Sequence, residues 1–306
     1  PAEGALCAWF DAGKKGTVAF RADMDALPVA EHSGAPYCSR HSGVMHACGH
    51  DGHMAMLLEL AHTAARRREE LPRNVLLIFQ PAEETDGGAK DICDSGVLQQ
   101  YHVERIFGLH LWPGLPSGTI WSAPGPVMAK NSELDLVIEG RSAHITKRHL
   151  GVDALWIGAE ALRRIYAMEA GEFPQNEMRV LRFGRMVSGT VRNAVSSRTE
   201  LEGTVRVFSM ETFERLARRV REIAADLERE YGCRITVRFS EGYPAVTNDP
   251  ALLRGVEEHL GRGYVSRLER PELAVDDFSF YQLHVPGVYA FLGLGNTPAL
   301  HANNFD

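Results

Sequence analysis

The chain has 306 residues, 44% of them hydrophobic, enough for one large domain or two ordinary ones. A net charge of −7, with no basic run beyond Arg66-Arg67-Arg68, itself read as a solvated helix face, argues against a nucleic-acid partner. No apolar stretch reaches the roughly 18 to 20 residues of a membrane span, and five scattered cysteines (Cys7, Cys38, Cys48, Cys93, Cys233) form no disulfide framework, which points to a reducing, cytoplasmic setting.

Up to about residue 121, short apolar runs alternate with helical stretches. The pattern predicts a strand over 17–22, a helix over 52–68, a strand over 74–80, a helix over 88–100 and a strand over 106–111. Such alternation implies a largely parallel, helix-covered sheet. Pro113, Pro116, Pro124 and Pro126, with Gly114, Gly118 and Gly125, break this rhythm. A different one follows: an alternating strand over 133–139, an amphipathic helix over 152–168, strands over 178–187 and 198–207, a long amphipathic helix over 211–231 and a strand over 234–239. That order, βαββαβ, is a small ferredoxin-like unit. From residue 241 the first rhythm resumes, with a helix over 250–260 and an apolar strand over 288–292. One domain inserted in another explains the sequence of elements: a discontinuous domain of 1–124 and 240–306 around an insert of 125–239.

The chemistry concentrates in the run Met45-His46-Ala47-Cys48-Gly49-His50-Asp51-Gly52-His53. Thiolate, imidazole and carboxylate are the side chains that bind transition metals, and the two glycines let a loop aim several of them inward. Met54, Leu57, Leu58, Ala61 and Ala65 follow at helical spacing, so the run sits where a loop enters a helix. Four more polar clusters stand at predicted strand ends or near the chain end: Arg21-Ala22-Asp23-Met24-Asp25, Gln80-Pro81-Ala82-Glu83-Glu84, His110-Leu111-Trp112 and Leu300-His301-Ala302-Asn303-Asn304. Strand ends are where α/β sheets place ligands. Singly each has a bland reading: a structural His110, turn carboxylates at Asp23 and Asp25, a solvated glutamate pair. Their recurrence after successive strands carries the functional one.

Together these segments resemble the M20 family of metallopeptidases and amidohydrolases, specifically its amidohydrolase branch of N-acetyl-amino-acid and N-acetyl-diaminopimelate deacetylases, hippurate hydrolases and auxin-conjugate hydrolases. The resemblance runs from about residue 18 to 306, with weaker support at 140–153, 203–206 and 276–281. It implies a zinc-peptidase-like three-layer α/β/α catalytic domain with an inserted βαββαβ lid and dimerisation domain. It implies that Cys48, His50, Glu84, His110 and His301 hold two divalent ions (zinc, manganese, cobalt or nickel), with Glu83 as general base and Asp25 as the acid beside the first metal motif. Asp23, where other branches carry a ligand His, together with Cys48 marks the amidohydrolase branch. In the insert, the Gly140 to His144 segment implies His144 as an oxyanion donor across a dimer interface, and Asn193 and Arg206 as contacts to the substrate carboxylate. The reaction implied is hydrolysis of the linear amide of an N-acyl, chiefly N-acetyl, amino acid in a homodimer built through the insert. A metallo-dipeptidase or aminopeptidase on the same scaffold, or an inactive metal-binding homologue, are the alternatives. Two departures stand out: Arg148 precedes His149 where relatives have Pro, and Asp276-Asp277-Phe278 stands where the family often has Glu-Asp-Phe. The family pattern also carries a helix before the first strand and one after the His301 segment, neither within this numbering.

Overall fold

The computed structural model describes residues 3–85, 87–261 and 263–306. The chain forms two compact units, one of residues up to Met128 together with Val246–Asp306, the other Ala129–Ala245. These limits lie a few residues beyond the 124/125 and 239/240 read from the sequence. The reason is a short antiparallel ribbon that pairs Gly125–Met128 with Val246–Asn248 and keeps both within the first unit.

In chain order the first unit contributes β1 (Leu6–Phe10), β2 (Thr17–Asp23), α1 (His50–Arg66), β3 (Asn74–Gln80), α2 (Gly88–Asp94), α3 (Val97–Gln100), β4 (Val103–Trp112), β5 (Ile120–Ser122) and β6 (Gly125–Met128). The second unit follows with β7 (Lys130–Glu139), α4 (Ala154–Glu172), β8 (Val180–Ser188), β9 (Arg198–Val207), α5 (Met210–Tyr231) and β10 (Arg234–Phe239). The chain then returns with β11 (Val246–Asn248), α6 (Pro250–Leu260), β12 (Val265–Arg267), α7 (Ser279–Gln282) and β13 (Gly287–Gly293).

The first unit is built on a seven-stranded sheet in the order β1-β3-β2-β4-β13-β5-β12. Its four central strands are mutually parallel, while β1 runs antiparallel to β3 and β5 antiparallel to β13, so the sheet is mixed. The reversal at β5 has a simple cause. Only seven residues, 113–119, separate it from β4, and a parallel return needs a crossover of about a dozen or more. All seven residues of β3 are buried, as expected for a strand covered on both faces. On one face Leu57 of α1 packs on Ala22, Val75, Leu77 and Phe79. The alternate residues Leu76, Ile78 and Gln80 are fully buried on the other, where Tyr281 of α7 reaches Gln80. This is a three-layer α/β/α arrangement. The single helix expected over 88–100 is broken into α2 and α3 by Gly96, which takes φ 77°.

The second unit is a four-stranded antiparallel sheet ordered β10-β7-β9-β8. In β7 Leu134, Leu136 and Ile138 point to α4 and α5, packing with Ile157, Ala161, Leu216 and Val220. The alternation follows from the strand period of two. Asp153 caps α4 by accepting from Leu155 N–H at 3.0 Å. Among the described residues, no helix is long and apolar enough to cross a membrane.

Candidate metal centre

Five segments of the first unit bring their polar ends together. The C-terminal end of β2 delivers Asp23 and Asp25, the loop into α1 delivers Cys48 and His50, the turn after β3 delivers Glu83 and Glu84, β4 delivers His110, and the last loop delivers His301. Three overlapping groups place their donor atoms within 4.8 Å of one another: Cys48 with His50 and His110, Cys48 with Glu84 and His301, and His50 with Glu83 and Glu84. The first two share Cys48.

The hydrogen bonds set which imidazole nitrogen faces the cluster. His50 Nδ1–H donates to the Asp25 carbonyl at 3.0 Å. That leaves Nε2 as the bare lone pair, 3.9 Å from Glu84 Oε1, and it is buried without a hydrogen-bond partner. His110 repeats the device: Nδ1–H donates to the Leu111 carbonyl at 2.7 Å, and Nε2 lies 3.6 Å from Cys48 Sγ. Fixing one nitrogen so that the other is presented is how proteins orient metal-ligating histidines. His301 Nε2 is 3.1 Å from Glu84 Oε1, with its side chain 52% exposed, so this is the open side of the cluster. Asp25 ties two ligands together, accepting Glu84 N–H on Oδ2 at 2.9 Å and lying 3.3 Å from His50 Nδ1 on Oδ1.

Two non-glycine residues here hold left-handed backbone, Ala82 at φ 61° and His301 at φ 66°. Each is pinned. The Ala82 carbonyl accepts from Gly87 and Gly88, and His301 N–H donates to the Ala47 carbonyl at 2.7 Å. Strain of about 1–3 kcal/mol per such residue persists only where the surroundings over-determine it. Here it aims Glu83, Glu84 and His301.

The electrostatics follow from burying many acids together. Burial, followed by the Glu84 carboxylate, pushes the Cys48 thiol far up. Burial, then Asp276 and Asp277, raises the Glu83 carboxyl well above the usual range. Burial and the neighbouring His53 push His110 down to about 3. Burial alone would raise Asp25, but the bonds from His50 and Glu84 overcome it and hold the carboxyl low. A soft thiol, imidazole lone pairs and carboxylates around an orphaned, buried His50 Nε2 form the donor set that a divalent transition metal fits.

Beneath the cluster lies a buried ionic network that the sequence reading did not assemble. The Arg21 guanidinium meets Asp23 at 2.6 Å, Asp277 at 2.6 Å, Asp276 at 3.3 Å and the Gln80 side-chain oxygen at 2.8 Å. The Tyr281 hydroxyl donates to Gln80 and the Tyr289 hydroxyl to Asp276. The signal was an Arg inside an otherwise apolar strand and two acids just before α7, neither of which names its partner.

The substrate-side residues read from the sequence lie in the second unit. Ile145 N–H donates to the Asn193 carbonyl at 3.0 Å and His144 bridges to Ala194, so these two loops are joined. His144 Nδ1 accepts from Thr146, which leaves the Nε2 proton as the outward donor. Arg206 stands on β9 opposite Asn131 and Val180.

Residues 19–306 match the sequence profile of Peptidase family M20/M25/M40. An N-acetyldiaminopimelate deacetylase of Shouchella clausii (strain KSM-K16) is 35% identical over 287 residues, 93% of this chain and 76% of its own length. An N-acetylcysteine deacetylase of Bacillus subtilis (strain 168) is 33% identical over 285 residues, 93% of this chain and 74% of its own. Among solved structures, the Bacillus subtilis YxeP protein, described as a dinuclear metal-binding peptidase of the M20 family, superposes with a TM-score of 0.86 at 32% identity. It covers 99% of this chain and 79% of that one.

Proposed function

The chain belongs to peptidase family M20/M25/M40, and from this we propose that its strand-end cluster is a two-metal centre that hydrolyses the amide of N-acyl, chiefly N-acetyl, amino acids. The observation that carries the reading is the convergence of Cys48, His50, Glu84, His110 and His301 from four segments in groups that share Cys48 and Glu84, with His50 Nε2 buried and without a hydrogen-bond partner among the described residues. These five residues would hold two divalent ions, and the mixed thiolate, imidazole and carboxylate set suits zinc, with manganese, cobalt or nickel also compatible. When bound, such ions supply a water of lowered pKa and polarise the amide carbonyl.

The residues of the chain do the rest. Glu83 is the general base: it takes the proton of the attacking water and delivers it to the leaving amine. Its carboxyl, raised by burial and by Asp276 and Asp277, is biased toward accepting that proton. Asp25 keeps His50 Nδ1 protonated and holds the Glu84 backbone. His144 Nε2–H, acting across the dimer interface, is the donor for charge developing on the carbonyl oxygen, a contribution of about 2.7–4 kcal/mol for one such donor. Asn193 and Arg206 are assigned to the substrate carboxylate, where Arg offers a bidentate fork.

In this reading the first unit is catalytic, and the second is the lid through which two copies associate in the cytoplasm. Trp156 and Leu155, exposed at 58% and 51% near the start of α4, give that unit apolar surface for a partner.

The test is a panel of N-acetyl amino acids and dipeptides, assayed by amine release alongside metal analysis and light scattering. Faster cleavage of dipeptides overturns the substrate class, and a folded chain that binds no ion when divalent metal is supplied in excess overturns the centre.

A further inference from the structure

His53 lies one turn into α1, beside the cluster but committed elsewhere. Its Nδ1–H donates to Asp23 Oδ1 at 2.5 Å, and its Nε2 accepts the Leu111 N–H at 2.9 Å. Asp23 is equally committed, its Oδ2 held by Arg21 at 2.6 Å. Asp23, His50 and His53 therefore have a metal-like spacing without being a metal site, because neither His53 nitrogen has a lone pair to spare.

Leu111 is held at its N–H, its carbonyl and its side chain. Its N–H is taken by His53, and its carbonyl accepts the His110 Nδ1–H at 2.7 Å. Its side chain fills the space left by two glycines of the metal loop: a Cβ at Gly52 would come within 2.6 Å of Leu111 Cδ1, and one at Gly49 within 3.1 Å. The residue whose carbonyl sets the tautomer and direction of His110 is thus held through its N–H by His53.

We propose that Arg21, Asp23 and His53 form a positioning chain that acts on His110 through the Leu111 backbone, so that affinity for the ion His110 binds depends on three residues that touch no ion. The proposal rests on the reading of His110 as a ligand. Partners that orient a ligating His are typically worth about 10–100-fold in metal affinity. What is distinct here is that the orientation is transmitted through the backbone of one residue, from the Leu111 N–H to the Leu111 carbonyl.

The experiment is a zinc titration of the metal-free, full chain against a chromophoric chelator, resolving the two affinities. His53→Gln keeps a side-chain oxygen long enough to accept the Leu111 N–H; His53→Asn is too short. The expected result is that His53→Asn weakens one ion by about 10–100-fold and leaves the other within about threefold, while His53→Gln recovers most of the loss. In a His110→Ala background, His53→Asn should cause no further loss.

Equal behaviour of the Asn and Gln variants, equal weakening of both ions, or the same loss in the His110→Ala background would each overturn the proposal. Should His53→Asn not fold, Asp23→Asn carries the comparison, since its carboxamide can accept from only one of Arg21 and His53; unchanged zinc affinities in that variant also overturn it. If His110→Ala alone leaves both affinities unchanged, the ligand assignment has failed. If His110→Ala weakens one ion and His53→Asn does not, only the positioning chain has failed.

Discussion

Gly88 opens α2, four residues beyond Glu84, and no side chain fits there. A Cβ on Gly88 would lie 2.1 Å from the Pro81 carbonyl oxygen and 3.1 Å from its carbon. Even close C···O contacts settle at about 3.3 Å, so Gly88→Ala demands a displacement of about 1 Å. Neither side yields freely. The β3 end is held by Met24 N–H on the Gln80 carbonyl, and the Ala82 carbonyl accepts from Gly87 and Gly88. On the helix side Ala89 is fully buried and its N–H donates to Asp277 at 2.9 Å. The shift therefore passes into the turn carrying Glu83 and Glu84. A misplacement of about 1 Å at reacting groups costs about 10²-fold, or about 2.7 kcal/mol in kcat/KM, and overpacking adds about 1–3 kcal/mol of lost stability. The assay is amine release from an N-acetyl amino acid at saturating zinc, with thermal unfolding in parallel. Gly171→Ala in α4, where a Cβ meets nothing within 4 Å, is the control; it should keep full activity and gain up to about 1 kcal/mol. A Gly88→Ala enzyme within about threefold of the parent, unfolding at the same temperature, would refute the claim that backbone crowding positions this turn.

Three further outcomes are expected. Glu83→Gln should retain its ions by metal analysis and lose about 10²–10⁴-fold in kcat; full residual turnover removes Glu83 as base. Cys48 is held as a neutral thiol by burial and by Glu84, and it must lose that proton to bind an ion. Zinc affinity should therefore rise with pH by about tenfold per unit for that proton, and Cys48→Ser should flatten the slope. His110, held near 3 when folded, has an ordinary value of about 6.5 when unfolded. Between these values the unfolded chain binds the extra proton, so the metal-free protein loses stability as pH falls. The loss is about 2 kcal/mol from pH 7 to 5 in urea unfolding, absent in His110→Gln.

Much of the candidate site was legible because its side chains are rare types at diagnostic places. Cys48 and His50 stand in a Gly-rich loop before a helical period, and Glu83, Glu84 and His110 stand at strand ends. The βαββαβ order of the second unit was legible through its alternating strands, such as Leu134, Leu136 and Ile138 against the outward Glu133 and Asp135. Short strands were not: β1, β5 and β12 span five, three and three residues, too few for a period to register. Nor was the Arg21 network. Whether a charged residue is buried depends on its partner, and Asp277 lies 256 residues from Arg21 along the chain. Composition around Arg21 cannot reveal an ion pair formed at that separation.

The same network explains why the site tolerates its own charge. Asp23, Asp276 and Asp277 are all buried, and among the described residues only the Arg21 guanidinium stands with them as a fixed cation. Burial and Asp276 push Asp277 up to about 6 despite that partner. Glu83 sits at the edge of this cluster, within 4.8 Å of Asp276 and Asp277 and also of His50 and Glu84. It is thus shared between a structural ionic core and the metal-facing donors. Adding a divalent cation on the His50 side relieves repulsion that Arg21 alone does not offset, and it does so where Ala82 and His301 hold strained backbone. An ion bound there would therefore stabilise the folded chain over the unfolded one, because its binding free energy becomes folding free energy.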